Sequence, residues 1–279
     1  MLTPLFDFRS GNKIELIIPT FNEQANIKRI IKAYHEIADI VLIDDNSTDD
    51  TIDIAKSNFC SVFIRNREIE PKSFAPTEVP ITYYVNELSL SKKCIKLDAD
   101  EMIKYNDFKK IVNLLDYYKI VLCKRIDVIS GKTLNYTSAI FPLGFTPGSI
   151  KCLNRLHSAI QPIDNITFAP EIFQNFHIDL VVEYERYGKY GKYTLWEIDR
   201  TCNGIKFSTK FYRRFLVPIF TFSFRNFHKH SIKLFIHYIT KYILDFFLAV
   251  IIIQNNNLFG DKEKQIHAGN LFFWKNINK

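Results

Sequence analysis

Short apolar runs alternate with helical periodicity over residues 13–64, and few architectures accept that order. Lys13-Ile14-Glu15-Leu16-Ile17-Ile18-Pro19 reads as a buried strand, β-branched and closed by proline. Residues 22–34 place Ile27, Ile30, Ile31 and Tyr34 on one helical face. Residues 40–44 form a second buried strand. Asn46-Ser47-Thr48-Asp49-Asp50 then supplies capping chemistry for a helix carrying Ile52, Ile54 and Ala55. Residues 61–64 are a third strand. The order β-α-β-α-β predicts a parallel sheet with helices on its faces.

Further along, residues 65–80 read as a surface loop punctuated by Pro71, Pro76 and Pro80. A short helix is expected within 83–90, a fourth strand over 94–97, a helix over 107–118 and a strand over 120–125. From 127 to 179 the pattern weakens into short strands and loops. The pattern predicts an α/β catalytic domain over 1–200 and a basic, aromatic-rich helical extension over 201–279.

The net charge of +7 is unevenly distributed. Residues 1–100 hold 12 Lys+Arg against 16 Asp+Glu, net −4, whereas residues 201–279 hold 12 against 3, net +9. A basic module attached to a near-neutral body is expected, and no nucleic-acid-binding motif accompanies the charge. Five widely spaced cysteines without a C-x-x-C pair suit reduced thiols rather than a disulfide framework. Met1-Leu2-Thr3-Pro4 lacks a basic region followed by an apolar one, so no signal peptide is expected. The most apolar run, residues 243–253, is shorter than the ~20 residues that span a bilayer.

Three predicted strands end in chemically useful residues: Pro19-Thr20-Phe21-Asn22-Glu23, Asp44-Asp45-Asn46-Ser47 and Asp98-Ala99-Asp100-Glu101. Ligands of parallel α/β sheets bind beyond the carboxyl ends of the strands. An aromatic such as Phe21 can stack on a base, and Asp45 can accept from a base N–H. Carboxylates at i and i+2 can meet a sugar hydroxyl and a hard divalent cation, which would neutralise a diphosphate leaving group.

Ile17-Ile18-Pro19-Thr20-Phe21-Asn22-Glu23, Leu42-Ile43-Asp44-Asp45-Asn46-Ser47-Thr48-Asp49-Asp50-Thr51 and Lys96-Leu97-Asp98-Ala99-Asp100-Glu101 resemble the family 2 glycosyltransferases of the GT-A fold. The resemblance covers residues 12–125, the nucleotide-sugar half of the expected domain, and is weak over 126–200, the acceptor half. It implies a Rossmann-like, mostly parallel nucleotide-binding sheet. It also implies an inverting transferase that uses a nucleotide-diphosphate sugar, of UDP-hexose type, with Mn²⁺ or Mg²⁺. Carried over, Pro19, Thr20, Phe21, Asn22, Glu23, Asp45 and Asp98 line the nucleotide-sugar site. Asn22 and Glu23 order its first loop. Asp98 contacts the ribose or the metal, and Asp100 is the metal ligand. Glu101 is either a supporting carboxylate or a helix cap. Residues 84–91 depart from the Arg-Asn pair and Ala-rich helix that many relatives carry there, so the donor sugar is not readable.

An inverting transfer needs a base for the acceptor hydroxyl. Among Glu171, Asp179, Glu183 and Asp164, the choice falls on Glu171. By the same resemblance His177 approaches the metal or diphosphate, and His157 lines the acceptor cleft. Ile232, Phe235, Ile239, Tyr242, Ile243, Phe246 and Val250 follow helical spacing, with Lys229, Lys233 and Lys241 near or off that stripe. Together with the aromatic and basic residues upstream, this suits a membrane-surface contact through 205–253, or packing on the domain. A lipid-linked or lipopolysaccharide/capsule glycan acceptor at the inner face of the cytoplasmic membrane is the implied setting. Two competitors stand beside this reading. A sugar-phosphate nucleotidyltransferase would carry a Gly-rich loop after the first strand, and residues 19–23 hold no glycine. A non-catalytic nucleotide- or membrane-binding relative would present no carboxylate to the donor site from 160–185.

Overall fold

The computed structural model describes residues 2–66, 78–129, 132–134, 140–151 and 160–179, with Ile239, Ile243 and Phe246. The chain divides into two units, Met1–Leu180 and Val181–Lys279, and the first holds almost all described residues. The sequence-based expectations for His157, for Glu183 and for 201–279 lie outside them, apart from the three named residues, each of which is helical.

In chain order the elements begin with β1 (Leu2–Phe6), β2 (Ile14–Thr20), α1 (Gln24–Tyr34), β3 (Ala38–Asp44), α2 (Thr51–Ser57) and β4 (Ser61–Arg65). Helix α3 (Glu78–Tyr83) runs into a π-helical turn (Tyr84–Leu88). Then come β5 (Cys94–Lys96), β6 (Glu101–Met102), α4 (Tyr105–Leu114), β7 (Ile120–Ile129), β8 (Lys132–Leu134), β9 (Ile140–Phe145), β10 (Ile150–Lys151), β11 (Gln161–Pro162) and β12 (Phe168–Asp179). The main sheet runs β1-β4-β3-β2-β5-β9-β7-β12-β6, with β8 beside β7.

The expected parallel half is present: β4, β3, β2 and β5 pair in parallel. The other half is mixed. Strand β9 is antiparallel to β5 and β7, β12 is parallel to β7, and β6 is antiparallel to β12. The run Leu16, Ile17 and Ile18 is wholly buried because both faces of β2 are covered. Ile27, Ile30, Ile31 and Tyr34 of α1 and Phe108 and Ile111 of α4 pack on one face. Ile81, Tyr84 and Val85 pack on the other.

Beyond residue 127 the expected short strands are present as β8, β9, β10 and β11, whereas β12 departs from that expectation at twelve residues long. Its register with β7 shifts between Phe168 and Ile172, and Asn175 occupies a wholly buried position. A bulge and an inward polar residue erase the apolar alternation by which a strand is recognised.

At the amino end of β2, Glu15 is completely buried. Its carboxylate accepts hydrogen bonds from the Tyr84 hydroxyl (2.8 Å), the Ser89 hydroxyl (2.8 Å), and the backbone N–H groups of Leu90 (2.8 Å) and Ser91 (3.1 Å). The Arg9 guanidinium lies 3.8 Å away and also donates to the Tyr84 hydroxyl at 2.9 Å. Burial, and then the adjacent Glu15 charge, push the Tyr84 phenol upward, so it stays a donor. This knot ties the turn before β5 to the start of β2. Glu15→Ala, which leaves these donors and Arg9 without their acceptor, is expected to cost about 3 kcal/mol and lower Tm by about 6–12 °C in a thermal melt.

Candidate functional site

The carboxyl end of the parallel half is built from three loops. Asp44, at the end of β3, is completely buried. It accepts from the Thr20 hydroxyl (2.9 Å), the Ser47 N–H (2.7 Å) and the Ser47 hydroxyl (2.6 Å). Thr20, which the resemblance places at the nucleotide, is therefore turned into the protein as a pin between β2 and β3. The Asp45 N–H donates to the Thr20 carbonyl at 2.9 Å.

The next residues lace the first loop to the second. The Asn22 N–H donates to the Ser47 hydroxyl (2.9 Å), and the Asn22 side-chain oxygen accepts from the Thr48 N–H (2.8 Å). The Glu23 N–H donates to the Thr51 hydroxyl at 2.8 Å, and the Glu23 carboxylate accepts from the Asn26 amide at 2.8 Å. Asn22 (φ 55°) and Asn46 (φ 62°) adopt left-handed backbone, a conformation Asn tolerates better than most residues. Within Asp44-Asp45-Asn46-Ser47-Thr48-Asp49-Asp50, the roles divide. Asp44 holds the loop, and Asp49 accepts the Thr51 N–H (3.1 Å) at the start of α2. Asp45 stays half-buried at the rim, where Phe21 keeps 47% of its surface exposed.

The third loop is the turn after β5. Lys96 and Asp98 are two residues apart, and the Lys96 ammonium contacts the Asp98 carboxylate at 2.6 Å. Glu101 is buried, and its carboxylate accepts the Asp98 N–H at 3.0 Å. Burial, with the Asp98 charge beside it, pushes Glu101 above the usual carboxylate range; Lys96 opposes the shift. Helix α1 clasps this segment twice. Arg29 donates to the Ala99 carbonyl at 3.3 Å. The Tyr34 hydroxyl donates to the Ile103 carbonyl and accepts the Ile103 N–H, each at 2.8 Å.

Strand β12 closes the group. His177 is in register with Glu101 on β6, and the Ile178 N–H donates to the Asp100 carbonyl at 2.7 Å. His177 Nε2 stands 2.8 Å from an Asp100 carboxylate oxygen, both side chains about one-quarter exposed. Residues placed far apart by the sequence, and joined there only by resemblance, meet here. Glu171 does not join them. It is exposed and lies on the bulged part of β12, six residues before His177, or about 20 Å along the strand. Asp164, with its side chain 94% exposed, pairs with Lys151 at 3.5 Å in the turn before β12. Asp179 is the last residue of β12, two beyond His177.

Lys96, Arg29 and Tyr34 were not singled out from sequence. Only Lys96 left a signal: positions i and i+2 of an extended segment share a face, so a cation two before Asp98 stands beside it.

The donor set fits a hard divalent cation in part. Two ligand atoms held 2.8 Å apart match neighbouring positions around an octahedral ion, about 2.9 Å for bonds of 2.0–2.1 Å. Among the described residues no group of three or more His, Cys, Asp or Glu side chains gathers for a metal. Among the described residues one carboxylate and one imidazole stand together there, and such ions complete their shells with waters and phosphate oxygens.

Residues 15–69 match the family model described as Glycosyl transferase family 2. An uncharacterized protein of Methanocaldococcus jannaschii is 34% identical over 106 residues, which cover 36% of this chain and 45% of that protein. The chain thus spans less than half the length of the curated relative it matches. Among solved structures, glucosyl-3-phosphoglycerate synthase of Mycobacterium tuberculosis, in complex with Mn²⁺, UDP and glucosyl-3-phosphoglycerate, is 21% identical with a TM-score of 0.34, over 42% of this chain and 45% of that one. S. aureus TarS 1–349 is 14% identical with a TM-score of 0.42, over 92% of this chain and 89% of that one. The family match takes in β2 to β4 with the Phe21 and Asp45 loops, and stops short of Asp98, Asp100 and His177.

Proposed function

We propose that the chain is an inverting, metal-dependent glycosyltransferase of GT-A type that moves a hexose from a UDP-sugar to a lipid-linked, lipopolysaccharide or capsule glycan. The observation that carries this reading is the Asp100–His177 pair, held at 2.8 Å beyond the carboxyl ends of a parallel sheet whose neighbouring loops bear Phe21 and Asp45. The family match over residues 15–69 supports the nucleotide-sugar part.

In this reading Pro19 and Phe21 flank the nucleotide base and Asp45 accepts from its N–H. Asp98 contacts the ribose. Asp100 and His177 hold Mn²⁺ or Mg²⁺, which when bound supplies positive charge for the diphosphate leaving group. Asn22 and Glu23 fix the first loop against the second, and Arg29 and Tyr34 fix the metal-bearing turn against α1. The base that takes the acceptor proton must stand near the sugar, on the side away from the leaving group. Of the candidates, Asp179, whose backbone position ends β12 two residues beyond His177, is the base proposed here; Glu171 lies six residues before His177 on the same strand. The net +9 of residues 201–279 supports an anionic membrane surface as the place of the acceptor, reached through 205–253 on the inner face of the cytoplasmic membrane.

Three measurements test this reading. Asp100→Ala is expected to abolish metal-dependent transfer with the far-UV CD spectrum retained. In the same assay Asp179→Asn lowers kcat by about 10²–10⁴-fold and Glu171→Gln stays near wild type; full activity of Asp100→Ala would sink the assignment. In a thermal-shift screen, UDP with Mn²⁺ at about 100 times Kd raises Tm by about 5 °C or more, whereas ADP and GDP do not. Stabilisation by none of them favours a non-catalytic protein. Removal of residues 230–279 weakens sedimentation with anionic liposomes; unchanged binding means that the segment packs on protein instead.

A further inference from the structure

A lysine accompanies one of the donor-site carboxylates. Its ammonium stands 2.6 Å from Asp98, with 13% of the Lys96 side chain exposed. Glu101 follows in the same turn, and Glu78 at the start of α3 adds a third negative charge that acts on it. Burial works against the Lys96 charge, and these carboxylates outweigh it, so the ammonium is held above its ordinary range and stays protonated. The neighbouring carboxylate, Asp100, has a different partner, His177. The two aspartates of the turn are therefore electrostatically unequal: one is ion-paired with a lysine at 2.6 Å, whereas the other faces an imidazole and feels the Arg29 guanidinium of α1.

We propose that Lys96 is a positioning residue that occupies Asp98 with a fixed positive charge and so makes metal binding depend on the donor. The inference rests on the donor-site reading above. With Asp98 neutralised by Lys96, an arriving divalent ion finds one effective carboxylate and one imidazole, and the ammonium repels it from Asp98. Such a site is too sparse to hold Mn²⁺ or Mg²⁺ tightly alone, because both ions need further oxygen ligands. The diphosphate of the donor brings those oxygens. Metal and donor then each raise the other's affinity by the same factor, as linkage requires. The device keeps Asp98 oriented for a sugar hydroxyl and ensures that the metal arrives with the donor.

The test is Mn²⁺ titration of the full-length protein by electron paramagnetic resonance, with and without UDP. Lys96→Gln is expected to tighten Mn²⁺ binding without nucleotide by about tenfold, and to shrink the UDP–Mn²⁺ coupling by the same factor. A merely structural role cannot produce that gain, since a damaged fold loses metal. Lys96→Arg, which keeps the charge, stays within about threefold of wild type, and serves as the folded control. Asp98→Asn, which leaves the Lys96 ammonium unpaired, weakens nucleotide-free Mn²⁺ binding by about tenfold or less, while Asp100→Asn weakens it severely. Unchanged affinity in Lys96→Gln, or a loss in Asp98→Asn as large as in Asp100→Asn, overturns the role of Lys96 and leaves the donor site standing. A wild-type protein that takes up neither Mn²⁺ nor UDP overturns the donor site itself, and this inference with it.

Discussion

Strands β2 and β5 part before β2 ends, and the functional end of the sheet depends on that parting. Strand β5 stops at Lys96, paired with Ile17, while β2 continues to Thr20. The Glu15 N–H bonds to the Lys93 carbonyl and the Ile17 carbonyl to the Leu97 N–H, so odd-numbered residues of β2 face β5. The next odd position is Pro19. It has no N–H to offer, and it stands where no strand remains to receive one. Beyond it the two chains separate, one into Phe21-Asn22-Glu23 and the other into Asp98-Ala99-Asp100-Glu101. This is also where the strand order reverses, with β3 and β4 on one side of β2 and β5 on the other, the place where open α/β sheets bind ligands.

A gap between strands is useful only if its walls are stiff. On the β3 side the buried Asp44 carboxylate gathers Thr20 and Ser47, and Asn22 bridges to Ser47 and Thr48. On the β5 side α1 grips Ala99 and Ile103 through Arg29 and Tyr34. Because α1 starts at the first loop and clasps the third, all three loops share one frame. The Glu15 knot performs the matching service at the amino end, where it fixes the turn leading into β5. Catalytic groups held on such a frame need little reordering when a ligand arrives.

The parallel half of this arrangement was legible in the chain because it is written in apolar runs. Ile17-Ile18 and Val41-Leu42 are buried on both faces, and a strand of that kind announces itself. The polar ends announced themselves too, but their division of labour did not. Asp44 and Asp45 are the same residue type side by side, and only strand alternation together with the Thr20 and Ser47 hydroxyls makes the first a buried clamp. The motif resemblance places Thr20 at the ligand, whereas its hydroxyl serves Asp44. Strand β12 was not legible, since a bulge interrupts its pairing and Asn175 sits where an apolar residue is expected. The meeting of His177 with Asp100 follows from that strand's register, so resemblance could suggest it and periodicity could not. Glu171 lies away from the cluster for a related reason: it sits on the bulged stretch of β12, six residues before His177.

The acidic turn illustrates why counting charges along a chain says little about a site. Asp98, Asp100 and Glu101 look like a bare anionic cluster in sequence. In the fold each has its own partner: Lys96 for Asp98, His177 for Asp100, and the Asp98 N–H for Glu101. The turn can therefore stay folded without a metal, because these contacts offset the repulsion that Asp98 still exerts on Glu101. The same partners set the terms on which a cation enters. It must displace or share the imidazole contact at Asp100, and it gains little from Asp98 while the Lys96 ammonium is in place. An ion bound on those terms needs negative charge from elsewhere. In the proposed reaction that charge is the diphosphate, so a pattern that stabilises the empty turn also favours the metal arriving with the donor.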